Sequence, residues 1–339
     1  MPDVRGQGSR DGEAGVVNPN DAAIAGAGFG IAVGHATDGT GATGCTVLRG
    51  VDAPVLASAA IFGRATGTRE VALLEPWASN ERVDAILLTG GSAYGLDAAA
   101  GVMRWMEERG RGVPIGGGVV PIVPAAVVFD LAPLGRFDAR PTADMAYRAC
   151  DAATPSGWEE GSVGVGTGCT VGKALGPQWA MKGGVGVGFA GTGGDDGILA
   201  WAVSAVNAVG HVRGHDDRII AGPRTAAHTI ADAEVATMLG TLFGEPRANT
   251  TISVVGVNRT FSKVDLHRIA RSASAAHARR IGPSGTSFDG DVIFAVCPLD
   301  APRGQLVRAE VAVTKALEQA IVRGVATAKG RDGIPGLAD

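Results

Sequence analysis

The chain has 339 residues, 45% of them hydrophobic and 19% charged, with a formal net charge of −4. That length suits one large domain or two ordinary ones, and mild acidity without a lysine/arginine block argues against a nucleic-acid partner. No run of about eighteen apolar residues offers a membrane span, and the N-terminus lacks an apolar signal core, so the chain reads as soluble and cytoplasmic.

Glycine is the outlier, at 53 residues, about twice its usual share. With no Gly-X-Y period, the surplus points to tight turns and close backbone approaches. Aromatic residues make up only 5%, so the core must be built from Ala, Val, Ile and Leu. The four cysteines, Cys45, Cys150, Cys169 and Cys297, form no C-x-x-C pair, a pattern of reduced thiols rather than a disulfide framework.

Residues 1–27 are small, polar and charged and read as a loose arm; residues 28–339 read as one domain. Short strands are expected at 28–35, 44–48 and 55–61, joined as hairpins. A stronger strand over 83–89 runs into Gly90-Gly91-Ser92-Ala93-Tyr94-Gly95, and residues 96–108 have helical spacing. That strand–turn–helix unit is either a simple connection or a helix N-terminus able to hold a polarised oxygen. The apolar run 119–130 is broken by Pro121 and Pro124 and should be an edge or bent strand. Thr142 should cap a helix over 142–153. Gly186-Val187-Gly188-Phe189-Ala190-Gly191 fits G-x-G-x-x-G, but glycines and Asp195-Asp196 follow where a dinucleotide site needs a helix. Residues 198–209 form a buried-strand run, and 225–243 should be helical. The last ninety residues read β-α-β-α: a strand over 250–257, helix 262–280, strand 292–297 and helix 307–328.

Within that order, Asn249-Thr250 reads in two ways. One is a loop feeding a buried strand. The other is a self-cleavage point that leaves Thr250 as a new N-terminus. A threonine hydroxyl is a weak nucleophile that needs a base in reach. The free α-amine of the same residue, with an ordinary pKa of about 7.7–8.0, could be that base. Asp289-Gly290-Asp291 is either a plain Asp-Gly turn or a carboxylate pair that would hold the Thr250 amine. Lys173 is either a surface lysine or a desolvated one that stabilises negative charge. Asn207 is either a satisfied core amide or a donor to an oxyanion. The six histidines, His35, His211, His215, His228, His267 and His277, give no convincing metal spacing and read as surface or structural. No G-x-S-x-G elbow supports a serine triad. No metal or organic cofactor is called for.

Taken together, Asn249-Thr250-Thr251-Ile252-Ser253 and Asp289-Gly290-Asp291-Val292-Ile293-Phe294, with Leu88–Leu96 and Val119–Pro124, resemble the self-cleaving L-aminopeptidase/D-esterases and β-peptidyl aminopeptidases. Within that family the blocks are most similar to the endo-type 6-aminohexanoate (nylon) oligomer hydrolases. The resemblance implies an α/β fold, a four-layer αββα sandwich similar to the N-terminal-nucleophile hydrolases but with different strand connectivity. It also implies cleavage into subunits 1–249 and 250–339, which stay together and assemble further, commonly as four αβ units. Carried over by position, Thr250 is the nucleophile and Asp289 and Asp291 are the carboxylates near it. Lys173 is the lysine contacting it, and Asn207 the asparagine facing the oxyanion. Ser92, Tyr94 and Phe129 fall on the substrate side. The aminopeptidase branch has Glu-x-Tyr where this chain has Val127-Val128-Phe129, which puts recognition of a free N-terminus in doubt. An N-terminal-threonine hydrolase of short amides or peptides is therefore expected. The alternatives are an aminopeptidase or D-amino-acid esterase, an ornithine-acetyltransferase-like enzyme, or a non-enzymatic binding protein.

Overall fold

The computed structural model describes residues 29–193, 197–224 and 249–339. Its main strands are β1 (Ile31–Asp38), β2 (Thr43–Gly50), β3 (Val55–Ile61), β4 (Thr68–Arg69), β5 (Arg82–Val83) and β6 (Ala85–Thr89), followed by β7 (Ala125–Val127), β8 (Gly184–Thr192), β9 (Ile198–Asn207), β10 (Thr250–Val257) and β11 (Val292–Cys297). One sheet has the order β1-β2-β6-β7-β4 and the other β8-β9-β10-β11-β3-β5. Helices α1 (Ala99–Glu107) and α2 (Ala143–Asp151) lie on the first sheet. Helices α3 (Lys263–Arg280) and α4 (Leu306–Ala326) lie on the second.

Period-two alternation explains the layering. In β11, Val292, Phe294 and Val296 enter the core between the sheets, while Ile293, Ala295 and Cys297 face α3 and α4. In β10, Ile252 and Val254 point between the sheets and Val255 and Val257 toward the helices. A third core joins Val47 and Leu87 of the first sheet to Val102, Met106 and Met145 of its helices. Three apolar layers therefore separate four layers of structure in an αββα sandwich. Each large side chain buried in them contributes about 1.5–3 kcal/mol. A one-residue slip of β10 would invert all its contacts, so its register is strongly fixed.

The glycine surplus has a structural use in β8. Val185, Val187 and Phe189 face the inter-sheet core, and the alternating glycines face α4. A Cβ on Gly186 would sit 2.1 Å from the Ala320 carbonyl oxygen, and one on Gly188 2.0 Å from that of Ala316. The helix lies directly on bare backbone, so the G-x-G-x-x-G pattern belongs to a strand. Thr142 caps α2 by accepting from Met145 N at 3.3 Å, and Ser262 caps α3 by accepting from Asp265 N at 3.1 Å.

Several expectations need correction. β1 and β2 form a hairpin, but β3 leaves it and pairs with β11 in the other sheet. The single strand expected over 83–89 is split at Asp84, where the chain passes from β5 in the second sheet to β6 in the first. Asp84 is buried there and accepts from Ile122 N at 2.9 Å. The proline-broken run yields a short ribbon strand (Gly118–Val120) and β7, which is interior because β4 pairs along its outer side. The helix after β6 opens as a 3₁₀ segment, Ser92–Ala98, before α1. The arm over 1–27, Asp195-Asp196, His228 and the helix expected over 225–243 lie outside the described residues.

Among the described residues, no helix is long and apolar enough to cross a membrane. All four cysteines are free and buried. Burial pushes each thiol up to about 12, so these are inert core residues.

Candidate active site

Three strand ends of the second sheet meet at one edge. β9 ends at Asn207, which pairs in register with Thr250, the first residue of β10. β10 runs parallel to β11, with Ile252 opposite Val292, so Asp289-Gly290-Asp291 arrives beside Asn249 and Thr250. Asn249 bridges Asp289, accepts from Gly290 N at 2.8 Å through its carbonyl, and donates its own N–H to Phe288 O at 3.4 Å. The chain after β3 wraps the turn from outside. Phe62 N and Gly63 N donate to Asp291 O, and Ala65 N donates to Asp289 O.

Gly290 is required by a close approach. A Cβ there would lie 2.8 Å from Thr250 Oγ1 and 3.0 Å from Ala65 O. The turn thus lies against the threonine hydroxyl while its N–H holds the carbonyl just before it.

Asn207 is fully buried, with its carboxamide orientation fixed on both sides. Oδ1 accepts from Thr170 N at 3.0 Å and from Lys173 Nζ at 2.9 Å; Nδ2 donates to Phe129 O at 2.9 Å. Two donors on the oxygen leave no reason to flip the amide. A carboxamide nitrogen carries two N–H groups, and Asn207 stands opposite Thr250 in the sheet. Lys173 is buried, and its Nζ also donates to Asn207 O at 3.1 Å. Lys173 is therefore not a surface lysine, and its charge bears on Asp289.

The two carboxylates are buried at 3% exposure. Asp291 Oδ1 accepts from Thr251 N at 2.7 Å and Oδ2 from Gly285 N at 3.1 Å; Asp289 Oδ2 accepts from Thr286 N at 2.7 Å. Desolvation pushes Asp291 up to about 6 despite these donors. It raises Asp289 as well, helped by the neighbouring Asp291 charge. Asp291 therefore grips the N–H one residue after Thr250, and Thr250 itself is 6% exposed.

Thr250, Asp289, Asp291, Lys173, Asn207 and Phe129 come together at this sheet edge, Phe129 through its backbone carbonyl. Ser92 is tied to the same region by its N–H to Val128 O at 3.0 Å. Tyr94 is half exposed, and its ring stacks under the Arg140 guanidinium at 3.5 Å and edge-on to Phe137. Two further groups shape this region and were not singled out from the sequence. Gly290 N–H was hidden because a backbone donor carries no side-chain signature. The other is Asp130, whose buried carboxyl accepts from Gly91 N at 2.6 Å and Thr43 Oγ1 at 2.7 Å and so fixes the turn before Ser92. Its only sequence signal is an acidic residue closing an apolar run.

Residues 29–338 match the family model described as Peptidase family S58. The chain belongs to that family. As an S58 member it is a hydrolase of amide or peptide bonds. An uncharacterized aminopeptidase of Mycobacterium tuberculosis is 40% identical over 309 residues, covering 82% of this chain and 84% of that protein. A 6-aminohexanoate-oligomer endohydrolase of a Kocuria species is 31% identical over 277 residues, covering 79% and 72%. Among solved structures, the L-aminopeptidase D-Ala-esterase/amidase of Ochrobactrum anthropi, described as a new variant among the Ntn hydrolase fold, superposes with TM-score 0.67 at 19% identity. It covers 88% of this chain and 85% of that one. A Burkholderia β-aminopeptidase gives 0.66 at 19%, covering 91% and 88%. At these identities the two structures support the shared fold of the S58 chain, an Ntn-type αββα sandwich.

Proposed function

We propose that this S58 hydrolase matures by cutting its own Asn249–Thr250 bond and then uses Thr250 as an N-terminal nucleophile. The observation that carries the reading is the Gly290 contact. Its N–H donates to the Asn249 carbonyl at 2.8 Å, and a Cβ on it would meet Thr250 Oγ1 at 2.8 Å. The carbonyl to be attacked is thus polarised beside the attacking hydroxyl. In maturation, Oγ1 adds to the Asn249 carbonyl carbon and the peptide nitrogen leaves as the Thr250 amine. Water then hydrolyses the ester, giving a carboxylate on Asn249 and fragments 1–249 and 250–339.

In turnover, the free amine of Thr250 takes the hydroxyl proton as Oγ1 attacks a substrate amide, and returns it to the leaving nitrogen. Water cleaves the acyl-threonine. Asn207 Nδ2–H stabilises the oxyanion, with Lys173 polarising the carboxamide from its oxygen side. Asp289 and Asp291 supply negative charge that holds the amine, and Phe129, Ser92 and Tyr94 line the substrate side. Short linear amides, including 6-aminohexanoate oligomers and peptides, are the proposed substrates. The two fragments remain associated and assemble further, as a tetramer of αβ units, in the cytoplasm.

A second reading, aminopeptidase action, is favoured by the 40% identity to a mycobacterial protein so named. Against it, Val127 is 5% exposed in β7 and offers no carboxylate for a substrate amine.

A denaturing gel tests the proposal. Two fragments are expected, the smaller starting at Thr250 by mass spectrometry. T250A should remain one 34.0 kDa chain and lose hydrolysis of aminohexanoate oligomers, β-peptides and p-nitroanilides. An active, unbroken wild-type chain would falsify it.

A further inference from the structure

His277 stands on α3, behind the edge of the second sheet that carries the site, and is 3% exposed. Alternation along β9 and β10 turns Ser204 and Ser253 toward this helix-facing side. Ser253 Oγ lies 2.9 Å from Ser204 Oγ and 3.3 Å from His277 Nε2. On its other edge the ring directs Nδ1 at Asp291 Oδ2, 3.9 Å away. Nδ1 has no hydrogen-bond partner among the described residues.

Burial holds the imidazole down near 4, so it is neutral at pH 7, with one N–H and one bare nitrogen. If the serines donate in sequence, Ser204 to Ser253 and Ser253 to Nε2, the ring proton sits on Nδ1 and faces the carboxylate. The opposite tautomer would set a lone pair against a buried carboxylate, two acceptors with nothing between them. The charged groups facing the ring are Asp291 and Asp289 from the turn before β11, and Lys173 acts in turn on Asp289. Arg280, farther along α3, is tied to Glu318 and Asp217.

We infer that His277 is a positioning residue for Asp291: its Nδ1–H supports the ionised carboxylate that grips Thr251 N, and so sets the acid limb of the reaction. As Asp291 ionises, the 3.9 Å gap closes toward hydrogen-bond distance, and the serine pair keeps the donating tautomer in place. The inference rests on the roles proposed above for Thr250 and Asp291.

Two measurements test it. In histidine-selective 15N spectra of the purified protein, His277 should show a protonated Nδ1 and a bare Nε2 from pH 7 to 8, where Asp291 is ionised; the reverse tautomer overturns the proposal. This needs no substitution, so it decides the matter even if variants fail to fold. Next, the Asp291 carboxyl is titrated by 13C NMR, assigned with D291N, in H277N and H277Q. Asparagine puts an N–H where Nδ1 sits, and glutamine puts one where Nε2 sits. H277N should titrate within about 0.3 unit of wild type, while H277Q should titrate about one unit higher, a tenfold change in the protonation equilibrium. The acid limb of kcat/KM should move with it. Equal shifts in both variants, a shift in H277N alone, or none in either overturns the role. The carboxyl titration needs no turnover, so repeating it in T250A separates a failure here from a failure of the nucleophile assignment.

Discussion

Asp130 and Asp291 occupy nearly the same chemical environment on two different sheets. Asp130 follows the end of β7 in the first sheet and accepts from Gly91 N and Thr43 Oγ1. Asp291 precedes β11 in the second and accepts from Thr251 N and Gly285 N. Both are almost fully buried, and desolvation pushes both up to about 6. A perturbed carboxyl marks a candidate site only in part, since structural carboxyls are perturbed in the same way. What separates the two is what each one holds. Asp130 pins a glycine turn so tightly that a Cβ on Gly90 would lie 2.1 Å from its Oδ2. Asp291 pins the residue after a hydroxyl that lies beside a polarised carbonyl.

The sharpest way to break this contrast is to neutralise each carboxyl in turn. D291N should fold but mature and turn over about 10²–10³-fold more slowly, since it removes charge from around the proposed nucleophile; gel time courses and kcat/KM report it. D130N should change turnover less than about threefold, because its carboxyl acts on a turn. Comparable losses in both would erase the distinction.

G290A sharpens the argument on the Asp291 side. Its Cβ would meet Thr250 Oγ1 at 2.8 Å, and displacing a nucleophile by a fraction of an ångström costs about 10–10²-fold. Maturation half-times measured after rapid refolding should lengthen by that factor. An unchanged half-time would separate the close approach from the chemistry.

The smallest expected effect is on stability. Asp130 titrates near 6 in the folded chain, against an ordinary value of 3.8. Its stabilising contribution is therefore complete below about pH 4 and is lost as the pH rises to about 6. Asp291 behaves alike, whereas His277, lowered from 6.5 to about 4, contributes fully above about 6.5 and loses that contribution toward pH 4. The wild-type slope mixes these terms, but the difference between D130N and its parent isolates Asp130. In the T250A background, which should keep the chain whole, D130N should gain about 2–3 kcal/mol relative to its parent between pH 4 and pH 7. Urea unfolding at the two pH values measures it, and a pH-independent difference would mean that Asp130 titrates normally.

Much of this was legible before any coordinates. Runs such as 250–257 and 292–297 are apolar on both faces, and a strand buried on both sides reads as a continuous hydrophobic block. Thr142 announced its helix by cap chemistry, a local effect. The Asn249-Thr250 and Asp289-Gly290-Asp291 blocks stood out because both lie where polar residues abut buried strands. Long-range pairing was not legible. Nothing near Val55–Ile61 shows that it abandons its hairpin neighbour for β11, nor that the chain changes sheets at Asp84, because sheet partners are chosen by packing across the whole molecule. The β8 glycines could be excluded as a nucleotide loop from the sequence, but that they let α4 lie on bare backbone could not be read there.

By itself, then, the sequence determined which segments are strands and helices, which residues are chemically able to react, and that the chain resembles a self-processing hydrolase. Those properties follow from side-chain chemistry and from patterns a few residues long. Only the tertiary structure decided that Asn207, Thr250 and the Asp289–Asp291 turn share one sheet edge, and that Gly290 N–H meets the Asn249 carbonyl. It also put His277 behind Asp291. These contacts join residues 14 to 43 positions apart in the chain, and they exist only because parallel pairing of β10 with β11 and antiparallel pairing of β9 with β10 bring three strand ends to the same place.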